Sequence, residues 1–391
     1  MMKDQFLIPF KFKNGALIKN RIVMAPMTEM SAFENGAITK DQLDYYAARS
    51  GGVGMEITAC FNVSAQGKGF EGNPSAASDD MIIGMSKLAQ VMKTNGTKAI
   101  LQIFDAGRMT TSKLLKGKTP VSASAIKADR PGLEPPRALS NEEILTEIQA
   151  FAQATRRAIL AGFDGVEIHG ANTYLIQQFF SPHSNRRSDE WGGNLKNRMK
   201  FPLAVIEEVS KIAKTYAKSD FIIGYRISPE EVENPGIRIE ETLTFIDQLA
   251  QSPLSYLHVS MGDVYRNSLN SPEDPEPINK KIQKRLAGRL PMIVVGGIEK
   301  PSEAQQVMTD GFEFVALGRA LIREPKWVQK VIAEDEKSIR YTVSPTDVDD
   351  LAIPMPLWGF LSTVFKPIAG ISTETSPEVN FTKAAAPWEK F

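Results

Sequence analysis

Short apolar runs rich in β-branched residues recur along the chain at 21–26, 53–59, 98–103, 165–169, 221–227, 256–260, 292–295 and 314–317. Each has the length and composition of a buried strand. Between most of them the apolar residues change to helical spacing. The clearest helix spans 141–161. Ser140 can cap it with Glu143 three residues on, Ile144, Ile148, Phe151, Thr155 and Ile159 share one face, and Gly162 stops it. Eight strands alternating with helices predict an α/β fold with a parallel sheet, and closure into a (β/α)8 TIM barrel is the natural solution. A doubly wound open sheet is the alternative. It should carry a glycine-rich turn after its first strand, where this chain has Ala25-Pro26-Met27-Thr28-Glu29. Ahead of the barrel, Asn14-Gly15 between alternating residues predicts a small hairpin that plugs one end. After residue 330 the pattern decays, and the tail 345–391 is rich in Pro, Ser, Thr and Ala around Trp358, Phe360 and Phe365. The division expected is a barrel domain over 1–335 and a C-terminal extension over 336–391 that packs on the barrel or on a second subunit. Two stretches, 105–140 and 262–280, read as long loops, either lids or solvated connections.

Composition narrows the function classes. With 391 residues, 42% hydrophobic and 24% charged, the chain has ordinary globular proportions. Lys plus Arg equals Asp plus Glu at 46 each, which argues against a nucleic-acid surface or a polybasic membrane anchor. No apolar run is long enough to span a membrane and the N-terminus has no signal-peptide core, so the cytoplasm is the expected compartment. One cysteine, Cys60, excludes an intrachain disulfide and any cluster needing several cysteine ligands. Three scattered histidines give no ligand set for a metal-dependent hydrolase.

Candidate chemistry gathers past the C-terminal ends of the strands. His169 ends the fourth strand, and Asn172 and Tyr174 follow within five residues. A lone histidine at a strand end is most often structural; what favours a role in chemistry here is the company of an amide, a phenol and the polar run 184–193. Polar groups recur at the other strand ends: Thr28, Gln102, Arg226, Gly296-Gly297 and Gly318-Arg319. Arg226 inside an apolar strand needs a partner, an ion pair being the plain alternative to a ligand contact. The glycines after strands seven and eight either make tight turns or let backbone N–H groups approach a phosphate, with Arg319 adding a fixed positive fork.

The chain resembles the Old Yellow Enzyme family of FMN-dependent ene-reductases. The likeness rests on Asn20-Arg21-Ile22-Val23-Met24-Ala25-Pro26-Met27-Thr28, Leu101-Gln102-Ile103, Ala106-Gly107-Arg108, Glu167-Ile168-His169-Gly170-Ala171-Asn172, Tyr174-Leu175, Gln178-Phe179, Ser181-Pro182, Asn185, Arg187, Asp189, Gly192-Gly193, Asn197-Arg198 and Gly318-Arg319. It spans about residues 5–330. The resemblance implies a flavin whose ring is held by Ala25, Pro26, Met27, Thr28, Ala59, Gln102 and Arg226, and whose phosphate is held by Gly296, Gly297, Gly318 and Arg319. It further implies that His169 and Asn172 bind a substrate carbonyl oxygen, that Tyr174 protonates the α-carbon, and that NADH or NADPH reduces the flavin first at the same site. The partner expected is a small enone-type substrate, with oligomeric state left open. Departures from the family pattern are Asp105 where many relatives read His, Met30 near an aromatic substrate contact of one subgroup, and Trp191 for a common Tyr. An NAD(P)H:flavin reductase or oxidase, or a flavin-binding redox sensor without turnover, are the alternatives.

Overall fold

The structure, a computed structural model, describes residues 4–366 and 370–371. Eight parallel strands close into a barrel: β1 (Ile22–Met24), β2 (Met55–Asn62), β3 (Lys98–Phe104), β4 (Gly165–Gly170), β5 (Ile222–Ile227), β6 (Tyr256–Val259), β7 (Met292–Val295) and β8 (Phe314–Leu317). Each pairs with its sequence neighbours, and β8 pairs with β1. Helices α1 (Lys40–Arg49), α2 (Ile82–Met92), α3 (Asn141–Leu160), α4 (Lys200–Tyr216), α5 (Ile239–Gln251), α6 (Ile278–Leu286), α7 (Pro301–Thr309) and α8 (Trp327–Ile332) follow the strands in turn. Both faces of the sheet are thereby covered, which is why the strands read as continuous apolar runs rather than alternating ones.

The predicted strands are present with small shifts. β1 is shorter than expected, while β2 runs on to Asn62 through a register shift between Ile57 and Cys60. There the Thr58 hydroxyl accepts from the Gln102 backbone N–H and Ala59 N–H turns outward to the Tyr46 hydroxyl. The capping box of α3 forms as expected, Ser140 with Glu143, but Ala158 rather than Ile159 completes the buried face. Such a box contributes about 1 kcal/mol.

Inside the barrel, the lower level is apolar: Val23, Met55, Ile57, Ile100, Ile222, Ile293 and Phe314 pack together. The N-terminal hairpin, Phe10–Lys11 against Leu17–Ile18, closes that end. Phe12 stacks on Phe314 with centroids 5.5 Å apart, Phe10 meets Phe314 edge-on at 4.9 Å, and the Asn14 amide donates to the Phe221 carbonyl at 2.8 Å. Burying Phe12 contributes about 2 kcal/mol.

The loop 262–280 is pinned rather than free. The Glu230 carboxylate, just past β5, accepts from Arg266 (3.0 Å), Ser268 (2.8 Å) and the Leu269 N–H (2.7 Å). In 105–140 a two-residue parallel pair, Val121–Ser122 with Arg137–Ala138, braces the loop. Past the barrel, Trp358 and Phe365 pack partly against the core. Arg49, buried on α1, donates to the carbonyls of Tyr45, Ile322 and Leu351 and lies 3.7 Å over the Tyr45 ring. The expected tail beyond residue 371, together with 367–369, lies outside the described residues. Among the described residues no helix is long and apolar enough to cross a membrane.

Two predictions arise from this packing. Burial pushes the carboxyls of Glu29 and Glu56, both fully enclosed between α1 and the barrel, up to about 8. The folded protein therefore holds protons there that the unfolded chain releases above about pH 4.3. This contribution to stability is present below that value and is lost as pH rises through about 8. The melting temperature should fall from about pH 6 to about pH 9, and Glu56→Gln should flatten that slope; an unchanged slope in the variant would refute the assignment. Secondly, a Cβ on Gly224 would lie 2.1 Å from the Tyr256 ring. Gly224→Ala should therefore destabilise the fold by about 1–3 kcal/mol in denaturant titration, whereas Gly359→Ala, at an exposed helical glycine where a Cβ meets nothing within 4 Å, should not.

Candidate functional site

Above the apolar level, the barrel interior turns polar. Glu167 on β4 points inward and is fully buried. Its carboxylate accepts from Gln102 Nε2 on β3 (2.7 Å) and from the Tyr256 hydroxyl on β6 (3.0 Å), and lies 2.9 Å from His258 Nδ1 on β6. Burial works against the charge. The hydrogen-bonding His258 imidazole, the Arg226 guanidinium and the Gln102 amide outweigh it and hold the carboxyl below its ordinary range. Burial pushes the His258 ring down, so it is neutral and donates from Nδ1. Gly224, opposite Glu167 in register, leaves the space that the Tyr256 ring fills.

One step higher stand the predicted residues. His169 lies in register with Arg226 on β5. Both are buried, and His169 Nδ1 and Arg226 Nε have no hydrogen-bond partner among the described residues. Burial first, and the Arg226 charge second, hold the His169 imidazole well below its ordinary pKa, so it stays neutral. After His169 the chain turns sharply: Asn172 and Thr173 take successive left-handed conformations, φ 56° and 67°. The turn is held on several sides. Asn172 N–H donates to Ser228 Oγ (2.9 Å), Ser260 Oγ donates to Asn172 Oδ1 (3.0 Å), Thr173 N–H donates to Gln177 Oε1 (2.9 Å), and Gln178 Nε2 donates to Thr173 O (2.7 Å). With its oxygen occupied, Asn172 offers its amide N–H groups. The Tyr174 ring meets His169 at 5.1 Å and Phe104 at 4.8 Å, both edge-on. Its apolar surroundings raise the phenol's pKa, so it keeps its proton. A neutral imidazole in contact with a protonated phenol, and the Asn172 amide in the turn between them in sequence, thus stand at the end of β4.

The remaining predicted residues ring the same mouth. Ala25 N–H bonds to Leu317 O, joining β1 to β8, and Pro26, Met27 and Thr28 follow half-exposed. Met27 lies under Gly318, whose notional Cβ would be 3.4 Å from its sulfur. Gly296 and Gly297 have positive φ, 132° and 71°. A Cβ at Gly296 would lie 2.6 Å from the Asp263 nitrogen, so that turn admits no side chain. Gly318 and the half-buried Arg319 open the short helix Arg319–Arg323. Ala59 and Cys60 lie beneath the mouth; burial lifts the Cys60 thiol to about 12, and it packs with Phe104 and Ala106 as a small apolar residue. Orphaned donors above a polar floor, beside a glycine turn that excludes side chains, suit a planar, polar, phosphate-bearing group.

Asp105 does not face the mouth. Its carboxylate accepts from Gly107 N–H (2.7 Å) and Ser64 Oγ (3.2 Å), with Gly67 packed on it. Burial raises it to about 6, and burial together with Asp105 raises Glu147 on α3 to about 9. The pair joins the loop after β3 to α3 and keeps a proton at neutral pH. Sequence reading missed Glu167, Tyr256 and His258 as parts of the site, and Ser228 and Ser260 as supports. The rule that singled out Arg226, a charge inside an apolar strand, applies equally to Glu167.

A family model for the NADH:flavin oxidoreductase / NADH oxidase family matches residues 5–337. The chain is 47% identical over 350 residues to an NADH:acrylate oxidoreductase of Vibrio harveyi, covering 89% of this chain and 35% of that protein. It therefore spans about a third of the length of that relative. To a probable NADH-dependent flavin oxidoreductase, YqiG of Bacillus subtilis (strain 168), it is 43% identical over 350 residues, covering 90% and 94% of the two chains. Among solved structures, an Old Yellow Enzyme homologue from Zymomonas mobilis superposes with a TM-score of 0.74 at 26% identity, over 90% of this chain and 99% of the other. On the match over most of its length, and on the barrel and mouth just described, the chain belongs to the NADH:flavin oxidoreductase / NADH oxidase family, whose members include the Old Yellow Enzymes.

Proposed function

We propose that this chain is an FMN-dependent NAD(P)H oxidoreductase that reduces the C=C bond of α,β-unsaturated carbonyl compounds by a ping-pong reaction. The observation that carries the reading is the placement of His169, in ring contact with Tyr174 and in register with Arg226, at one strand end, with Asn172 in the turn that follows. FMN is the cofactor of the family. Ala25, Pro26, Met27, Thr28, Ala59, Gln102 and Arg226 would hold its ring, and Gly296, Gly297, Gly318 and Arg319 its phosphate. When bound, it supplies hydride exchange, first with the nicotinamide and then with the unsaturated substrate.

The chain's own residues supply the rest. His169 stays neutral, so it donates to the substrate carbonyl oxygen without carrying a charge of its own. Asn172 donates from its amide nitrogen because Ser260 occupies its oxygen. Two such donors stabilise the negative charge that develops on that oxygen as the β-carbon is attacked. Tyr174, protonated at every physiological pH, delivers the proton to the α-carbon.

A second reading is an NADH-oxidising flavoprotein whose acceptor is not an enone. What favours it is that the Vibrio harveyi acrylate oxidoreductase matches over only 35% of its length, so its acceptor chemistry need not lie in the matching part.

Anaerobic absorbance spectroscopy separates the readings. The flavin bands should bleach with NADH or NADPH and return with 2-cyclohexenone. Tyr174→Phe should leave the bleaching rate near wild type and slow the return about 10²-fold or more. His169→Ala should slow the return by about 10²–10³-fold. Bleaching without return would move the assignment to the second reading. A protein that FMN cannot reconstitute would refute both.

A further inference from the structure

We infer that Glu167 is a positioning residue for the flavin: it fixes which way the Gln102 amide faces and supplies the counter-charge beneath Arg226. The inference rests on the placement of the flavin ring over Gln102 and Arg226 argued above. An amide side chain at such a place could sit either way round, since its oxygen and nitrogen have the same shape. An ionised carboxylate removes the choice, because it can only accept. Glu167 Oε1 lies 2.7 Å from Gln102 Nε2, so the amide nitrogen must face the floor. The Gln102 oxygen, with the second N–H beside it, is then turned the other way. An acceptor and a donor side by side complement an imide edge, which is the edge a flavin's pyrimidine ring presents.

Two further groups keep Glu167 in place. The Tyr256 hydroxyl and His258 Nδ1 both engage its second oxygen, at 3.0 and 2.9 Å, and all three side chains are fully buried. Gly224 makes room for Tyr256. Four strands, β3 to β6, therefore contribute to the orientation of one amide.

The charge acts on the neighbour. Arg226 is a buried guanidinium whose Nε has no partner among the described residues, and Glu167 is the carboxylate that attracts it most. His169 and His258 are neutral, so these groups beneath the mouth sum to zero with Glu167 ionised and to plus one without it. A net positive charge there favours a reduced, more negative ring.

FMN titration and spectroelectrochemistry of the full-length protein test this. Glu167→Gln keeps the shape, frees the amide and removes the charge. The FMN dissociation constant should rise about tenfold or more, and the midpoint potential should rise by about 30 mV, the equivalent of a tenfold shift in a two-electron couple. Glu167→Asp keeps the charge but withdraws it one methylene from Gln102; affinity should fall while the potential stays near wild type. Either variant decides the question if the other does not fold. Wild-type affinity and potential in Glu167→Gln, or wild-type affinity in Glu167→Asp, would overturn the inference, even if both melt at lower temperature, because Glu167 would then be a structural ion only. A wild-type protein that takes up no FMN would overturn the flavin placement itself, and this inference with it.

Discussion

A carboxylate sealed from water must be surrounded by donors, and much of this barrel's interior is arranged around that requirement at Glu167. The cost of desolvating one carboxylate is several kcal/mol, which a single hydrogen bond of about 1–3 kcal/mol does not offset. Three partners from two other strands do so together. To bring them within reach, the strands must be in one register, the Tyr256 ring must pass over Gly224, and β5 must carry no side chain there. Below this level the interior is apolar; above it, it is polar.

The mouth inherits its properties from that floor. Arg226 can remain charged in a buried position because the carboxylate lies near it, and the Arg226 charge in turn helps to keep His169 neutral. Neighbouring groups are thus set in different protonation states by their surroundings. The turn at Asn172 and Thr173 works in the same way. Left-handed backbone at two successive non-glycine residues costs about 1–3 kcal/mol each. Two serines just past β5 and β6 and two glutamines of the short helix Leu175–Phe180 hold it, so the strain fixes where the Asn172 amide points.

The barrel was legible in the sequence because each strand's signal is local: a short apolar run, an interruption, a helical face. Ser140 with Glu143 and Asn14 with Gly15 are equally local, and both form as read. His169, Asn172 and Tyr174 could be picked out together for the same reason, lying within six residues at the end of one strand. What was not legible is assembled from distant strands. Nothing near Tyr256 or His258 in sequence says that their polar atoms meet Glu167, about ninety residues earlier. Asp105 shows the opposite case. In sequence it stood out only as a departure from the family's usual His; hydrogen bonds to Gly107 and Ser64 turn it toward the outer loops. Ile159 and Ala158 exchanged places because a helix of 3.6 residues per turn drifts along a twenty-residue length.

The hairpin at the other end of the barrel bears on traffic. With Phe12 seated against Phe314 and Tyr256, the interior has a stopper at its lower end, and no molecule can pass through it. Whatever reaches the floor at Gln102 and Arg226 enters and leaves by one door. Two partners that must each touch that floor then have to take turns, and each, in excess, stands in the other's way.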